Sequence, residues 1–97
     1  MKHRLIWDET KRRSNFAKHG LDFRQAEIVL SANYRLDRVS VRKNEARMQS
    51  FAYVMNHLAV LTVVHTQRGD AIRVISFRTA SEAESRIYYD WIAEVEN

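Results

Sequence analysis

Apolar and polar positions follow two rhythms along this chain, and the switches between them mark its elements. Leu5-Ile6-Trp7 is an apolar trio that reads as a short strand or extended lead-in, and a markedly polar stretch from Asp8 to His19 follows. Asp8 can cap a helix there, and Gly20 stands where a left-handed residue would close it. At about 100° per residue, Lys11, Asn15 and Lys18 fall in one narrow stripe with Asp8 and His19 at its edges. Only Phe16, Ala17 and the flanking Trp7 can pin such a helix to a core. Asp22 can cap a second helix, in which Phe23, Ala26, Glu27 and Leu30 share a face with Val29 nearby.

From Tyr34 the helical period is lost. Tyr34 to Val41 alternates enough for a first meander strand, and Arg47 to Met55 sets Met48, Ser50, Ala52 and Val54 against Arg47, Gln49, Phe51, Tyr53 and Met55. Leu58 to Thr66 and Ala71 to Arg78 are rich in β-branched residues on both sides, which predicts inner strands covered on each face. Gln67-Arg68-Gly69-Asp70 is the hairpin turn between them, and Asn56-His57 another tight connection. Period 3.6 then returns. Ser81-x-x-Glu84 is a capping box, and Ile87, Tyr88, Trp91, Ile92 and Val95 form a wide stripe that must dock on the sheet. The expected fold class is α+β: two N-terminal helices, an antiparallel sheet of about four strands, and a C-terminal helix packed on the sheet.

Ninety-seven residues suffice for one core, so residues 1–97 are expected to form a single domain. Sixteen Lys+Arg against twelve Asp+Glu give a formal charge of +4, a modest preference for a polyanionic partner. The distribution is more telling. Lys2, Arg4, Lys11, Arg12, Arg13 and Lys18 face only Asp8 and Glu9 in the N-terminal segment, while the tail from Glu82 is acidic. No cysteine is present, which excludes disulfides, a thiolate nucleophile and cysteine metal sites. The four histidines lack metal-ligand spacing, so no metal and no cofactor is expected. The apolar stretch after Met1-Lys2-His3-Arg4 is too short for a signal peptide, and Leu58 to Val64 is far below the ~20 residues that span a membrane. A cytoplasmic protein with no membrane contact is the expectation. Direct DNA reading by this chain is disfavoured: no basic recognition helix follows a helix-turn signature, and Arg12 and Arg13 give only a charge patch on the outer helix face.

Trp7 through Ala26, Glu45 with Arg47, Arg68 through Ala80 and Glu84 with Tyr88 resemble the motifs of a ribonuclease family. RNA cleavage without a metal needs a base for the 2′-hydroxyl, cations around the pentacoordinate phosphate and an acid for the departing 5′-oxygen. Arg47, Arg73 and Arg78 are the candidate cations. An arginine within an apolar strand is costly unless its head reaches water, a carboxylate or an anion, and a guanidinium grips phosphate with two prongs. Arg73 and Arg78 are an odd number of residues apart and face opposite sides unless the strand ends or bulges before Arg78. His65, His19, Glu45 and Lys18 are the candidates for proton transfer. His65, in a strand of valines, is either acid or base or a hydrogen-bonded structural residue. His19 sits at a helix C-terminus, where the macrodipole favours the imidazolium. Glu45 and Arg47 share a side if the chain is extended there, as a base with its cation or as a simple pair. Lys11, Asn15 and Lys18, with Arg68 of the hairpin, are the candidate RNA-binding residues. Trp7 and Phe23 read as core staples, and Tyr88 as packing with a polar tip.

Four motifs in order carry a family resemblance: Trp7 through Ala26, then Glu45 and Arg47, then Arg68 through Ala80, then Glu84 with Tyr88. Together they resemble the BrnT family of bacterial type II toxins, over nearly the whole chain. The resemblance implies a RelE-like ribonuclease fold and a metal-independent endoribonuclease that cleaves mRNA and inhibits translation. It further implies neutralisation by a cognate BrnA-like antitoxin in a hetero-oligomer, with operator DNA reached only through the antitoxin. Lys18, His19, Glu45, Arg47, Arg73, Arg78 and Tyr88 occupy motif positions. The chain departs from the pattern in two places: His65 stands where the family more often has tyrosine, and Met55-Asn56-His57 replaces a glycine before the inner strand. The alternative is a catalytically inactive toxin relative serving as an antitoxin-binding co-repressor module. Convergence of Lys18, Glu45, Arg47, His65 and Arg73 on one pocket separates the two.

Overall fold

Five strands form one sheet in the computed structural model, which describes residues 3–97. Met1 and Lys2, the latter one of the N-terminal cations, lie outside the described residues. In chain order the elements are β1 (Arg4–Ile6), α1 (Glu9–His19), a 3-10 turn (Phe23–Gln25), α2 (Glu27–Leu30), β2 (Leu36–Arg42), β3 (Glu45–Val54), a second 3-10 turn (Met55–His57), β4 (Ala59–Arg68), β5 (Ala71–Thr79) and α3 (Glu82–Glu96). The strands lie side by side as β1-β5-β4-β3-β2.

The α+β class holds, with three corrections. The sheet has five strands, not about four, and it is mixed: β2 to β5 form an antiparallel meander, while β1 pairs parallel with β5 through Arg4, Leu5 and Ile6. Three residues are too few to show a period, so this strand exists through its neighbour and not through its own pattern. Only α1 is a full N-terminal helix. The second is one 3-10 turn, closed by the Asp22 carboxylate accepting from the Arg24 N–H, followed by the four residues of α2.

The cues at helix ends act as the sequence predicts. Asp8 accepts from the Lys11 N–H, and Gly20 at φ 71° lets its own N–H reach the Phe16 carbonyl. Ser81 and Glu84 close a reciprocal capping box at the start of α3. Phe23, Ala26, Val29 and Leu30 are buried against Ala52, Leu61, Val63, Ile72, Val74 and Phe77, which defines the helix-covered face of the sheet. A second, smaller cluster joins Tyr88 of α3 to Phe51, Val60 and Ala80, with Leu36, Trp91 and Ile92 packed on it. Ile87 and Val95 remain exposed, so the α3 stripe is narrower than its pattern implied. Consequently α3 covers only one end of the second face. None of the described helices is long and apolar enough to cross a membrane.

Candidate active site

The face opposite α1 and α2 is polar and cationic, and a single irregularity in β5 makes it so. Val64 pairs with Ser76, but His65 pairs with Val74, leaving Ile75 as an extra residue in β5. Such a bulge shifts the side-chain alternation by one. Arg78 is therefore opposite Thr62 and Arg73 opposite Thr66, and those threonines, four apart on β4, point the same way. The condition under which both arginines share a face is met.

Neighbouring strands extend this face. Ser40 pairs with Arg47 and Arg38 with Gln49 across β2 and β3, and Gln49 pairs in turn with Val64. A cleft of ≈230 Å³ is lined by Ser40, Arg42, Arg47, Gln49, Val64, Ile75, Ser76 and Arg78. A second hollow, ≈420 Å³, is lined by Lys11, Ser14, Asn15, Lys18 and His19 of α1 together with the same Ile75 and Ser76. The bulge thus joins the helix stripe to the arginine cleft. Arg73 and Arg68 line a third depression of ≈470 Å³ with Ile6, Trp7 and Asp8. The roomiest groove, ≈570 Å³, lies elsewhere, among Tyr34, Tyr53, Tyr88, Tyr89 and Ile92, and Glu96 is its sole charged lining residue.

The cations differ in how they are held. Arg78 donates to both Glu84 oxygens, at 2.7 and 3.0 Å, and Glu84 also accepts from Gln49 and from the Ser81 N–H. These bonds, the Arg78 guanidinium first, hold the Glu84 carboxyl down at about 2, and the carboxylate raises Arg78 further above its ordinary value. Arg47 bonds Glu45 at 3.1 Å, and Arg68 approaches the same carboxylate at 3.8 Å. Among the described residues no carboxylate lies within ion-pair distance of Lys11, Lys18, Arg38, Arg42 or Arg73. The hydroxyls of Thr62 and Thr66 are buried with no hydrogen-bond partner on this same face. It is therefore rich in donors and poor in compensating charge, the electrostatics an anionic chain requires.

The two histidines part company. Partial burial, then the neighbouring Lys18 and Arg78 cations, lower the His19 pKa below its ordinary value. This reverses the expectation from the helix dipole, because whole charges and desolvation outweigh a half charge at the helix end. A neutral imidazole at pH 7 beside the cleft is able to accept a proton. His65 is instead on the helix-covered face. Its Nε2 lies 2.8 Å from Ser50 Oγ, which donates to Asp37 at 2.6 Å, and burial followed by Arg35 lowers its pKa to about 4. The strand faces separate His65 from Arg73 and Arg78, whereas Arg47 and His65 both line a hollow of ≈470 Å³ at the margin of the sheet, apart from the cleft that holds Arg78.

Asn15 is buried in the fold. Its Nδ2 donates to the Phe77 carbonyl at 2.8 Å and the Leu21 carbonyl at 3.0 Å, while its Oδ1 accepts the Phe77 N–H at 3.2 Å. β1 reaches only as far along β5 as Arg73, and beyond it this one amide takes the place of a strand at the β5 edge. Asn15 thereby fixes α1, and with it Lys11, Lys18 and His19, beside the bulge. Arg12 is likewise structural: it bridges Glu9 and Asp22 with little exposure, whereas Arg13 carries the outward charge. Trp7 and Phe23 pack on the core as expected, and Tyr88 donates its hydroxyl to the Tyr34 carbonyl.

Sequence reasoning missed Gln49, Ser76, Glu84, Arg38 and Arg42 as members of this surface. Gln49 was legible, since it shares the period-two side of Arg47. Glu84 reads from the sequence as a cap, as a motif residue with Tyr88 and as one of the carboxylates open to the arginines, not as a member of the site.

No curated protein matches the chain. Residues 7–84, from Trp7 to Glu84, match the family described as the ribonuclease toxin BrnT of type II toxin-antitoxin systems. That span covers the helix stripe, the bulge and every arginine of the cleft, and the chain belongs to this family of ribonuclease toxins.

Proposed function

We propose that this protein is a metal-independent endoribonuclease of RelE-like architecture that cleaves mRNA and so inhibits translation in the cytoplasm. The observation that carries the reading is the β5 bulge, which gathers Arg73 and Arg78 on the face that holds Arg47. Arg47 and Arg78 supply the cations around the pentacoordinate phosphate, with Glu84 orienting Arg78 and Glu45 restraining Arg47. His19 accepts the 2′-hydroxyl proton, with Lys18 beside it, and the oxygen attacks the adjacent phosphorus to form the 2′,3′-cyclic phosphate. The 5′-oxygen leaves as a hydroxyl after taking a proton from water. Lys11, Lys18, Arg68 and Arg73 guide the flanking backbone. Asn15 acts by positioning, and His65 belongs to the scaffold. A type II family brings a protein antitoxin as partner; here it is BrnA-like, covers the cationic face and supplies the contact to operator DNA. Lys18, Glu45, Arg47, His65 and Arg73 do not converge on one pocket, so the active reading rests instead on the shared face of Arg47, Arg73 and Arg78 and on the Ile75 and Ser76 wall common to the His19 hollow and the arginine cleft.

The test is cleavage of an mRNA transcript by the purified chain in excess EDTA. Products ending in a 2′,3′-cyclic phosphate or its 3′-phosphate hydrolysis product are expected. Loss of cleavage on chelation, with recovery on adding a divalent ion, would overturn the metal-free chemistry.

A further inference from the structure

β2 is the longer of the two edge strands of the sheet, β1 being three residues. Leu36–Arg42 pairs with β3 in seven consecutive residues without a bulge, the strand contains no proline, and among the described residues no strand lies on its other side. Regular edges of this length normally carry some device against pairing with a further chain, since alternate N–H and C=O groups remain open. Here the side chains make the edge selective. Val39 and Val41, 73% and 67% exposed, project on the helix-covered side of the sheet, beyond the reach of α2. Arg38, Ser40 and Arg42 project on the side of the arginine cleft, and Ser40 and Arg42 line it. Beside Val39 runs a groove of ≈470 Å³ that mixes apolar Ala46, Met48 and Ile72 with cationic Arg35 and Arg47 and with His65.

A second copy of this chain fits the edge less well than an acidic strand, since in each antiparallel register that stacks Val39 or Val41 on its counterpart Arg38 and Arg42 meet no carboxylate. An antiparallel pairing that stacks Val39 of one copy on Val41 of the other also sets Arg38 opposite Arg42, twice, with like charges face to face. A strand alternating apolar and acidic residues fits on both counts: its apolar side chains cover Val39 and Val41, and its carboxylates meet Arg38 and Arg42. We propose that the antitoxin docks by adding such an alternating apolar and acidic strand to the β2 edge, extending the sheet to six strands. Main-chain bonds supply affinity and the alternation supplies selectivity. The carboxylates then stand at the rim of the cleft that binds the phosphate chain, so docking and inhibition are one event; this last step rests on the nuclease reading above.

The experiment is amide hydrogen exchange on the full chain, alone and in complex with the antitoxin encoded by the neighbouring reading frame, together with RNA cleavage by the free chain. At least tenfold slower exchange across residues 36–42 in the complex is expected, with the protected antitoxin segment alternating apolar and acidic residues. Val39→Lys with Val41→Lys should weaken the complex at least tenfold yet leave cleavage by the free chain unchanged, because both residues are exposed and outside the cleft. Unchanged exchange at β2, an unweakened double variant, or protection that rises with the concentration of this chain alone would each overturn the proposal. A protected β2 in a chain that does not cleave RNA would overturn the nuclease reading instead and leave the docking strand standing.

Discussion

On the face under α1 and α2, β4 and β5 present Leu61, Val63, Val74 and Phe77, none more than 1% exposed; on the other face the same two strands present Thr62, Thr66, Arg73 and Arg78. The first face closes a core and the second holds charge at a surface that α3 covers at one end only. Each arginine must keep its head near water or a carboxylate, while the aliphatic part of the side chain covers the sheet. The contrast depends on Ile75. If every residue of β5 were paired in the register that sets Val74 against His65, Arg78 would stand opposite Leu61 in the core, a position with no partner for a buried charge.

The largest effect is expected from the apolar face. Phe77→Ala removes a fully buried ring from the point where Asn15 grips the β5 edge, and should cost about 3–5 kcal/mol of stability as read by urea unfolding. Activity normalised to the folded fraction should fall as well, because Phe77 follows Ser76 and precedes Arg78. A normal activity per folded molecule would show that the bulge survives without its anchor.

Arg47→Ala and Arg73→Ala attack the other face. Arg47→Ala should lower RNA cleavage about 100-fold, roughly 3 kcal/mol of transition-state stabilisation. Arg73→Ala should lower it less, since Arg73 guides the flanking backbone, and both should change the unfolding midpoint little. Arg13→Ala, far more exposed on α1, is the proper control, since Arg12 is tied into the Glu9 and Asp22 pairs. If all three variants lose activity alike, the arginines act as diffuse charge and the cleft is not the site.

How far the sequence showed this contrast depends on the length of the pattern. Ten residues of alternation in β3 placed Arg47 and Gln49 against Ser50 and Ala52 correctly, and the caps at Asp8, Gly20 and Ser81 are local chemistry that needs no tertiary information. β1 was no more than a possibility, since a three-residue strand is stabilised by its neighbour. The bulge at Ile75 was legible only as a condition, because Arg73-Val74-Ile75-Ser76-Phe77-Arg78 reads equally well in either register until a partner strand fixes it. The polar stripe of α1 misled at one position: Asn15 lies on the same line as Lys11 and Lys18, but on a helix packed against a strand edge an amide at that point becomes part of the sheet. His65 was ambiguous for a similar reason, as a titratable group in an inner strand reveals its role only through its partners, here Ser50 and Asp37.

The pH dependence of stability offers a milder test, because each face holds a strongly perturbed group, His65 on one and Glu84 on the other. His65 has a folded pKa of about 4, below its ordinary 6.5, so the unfolded chain takes up its proton first and stability declines as pH falls from 6.5 towards 4. Glu84, held at about 2 against an ordinary 4.5, contributes stability that is present above 4.5 and is lost as pH falls towards 2. Unfolding measured from pH 7 to 2 should therefore weaken in two overlapping stages. His65→Asn should shrink the upper stage, where His19 also contributes, and Glu84→Gln the lower, where Glu9, Asp22, Glu27 and Asp37 also contribute. Removal of both stages by one substitution would mean that the two faces titrate as a coupled unit.

The smallest effect concerns the turn that leads from β3 into β4 and so sets both faces of the inner strands. Met55–His57 forms a 3-10 turn, and the chain leaves it through Leu58 at φ 52°, a left-handed conformation that a branched side chain adopts at a cost of roughly 1–2 kcal/mol. Leu58 is 77% exposed, so little packing compensates for that cost. A glycine there meets no steric penalty but loses more backbone freedom on folding, which offsets part of the gain. Leu58→Gly should accordingly stabilise the protein by about 0.5–1 kcal/mol, seen as a rise of a few degrees in Tm. Cleavage should not change, since the turn lies at the α3 end of the strands, away from the arginine cleft. A lower Tm would mean that the Leu58 side chain has a stabilising contact that outweighs the strain of its backbone.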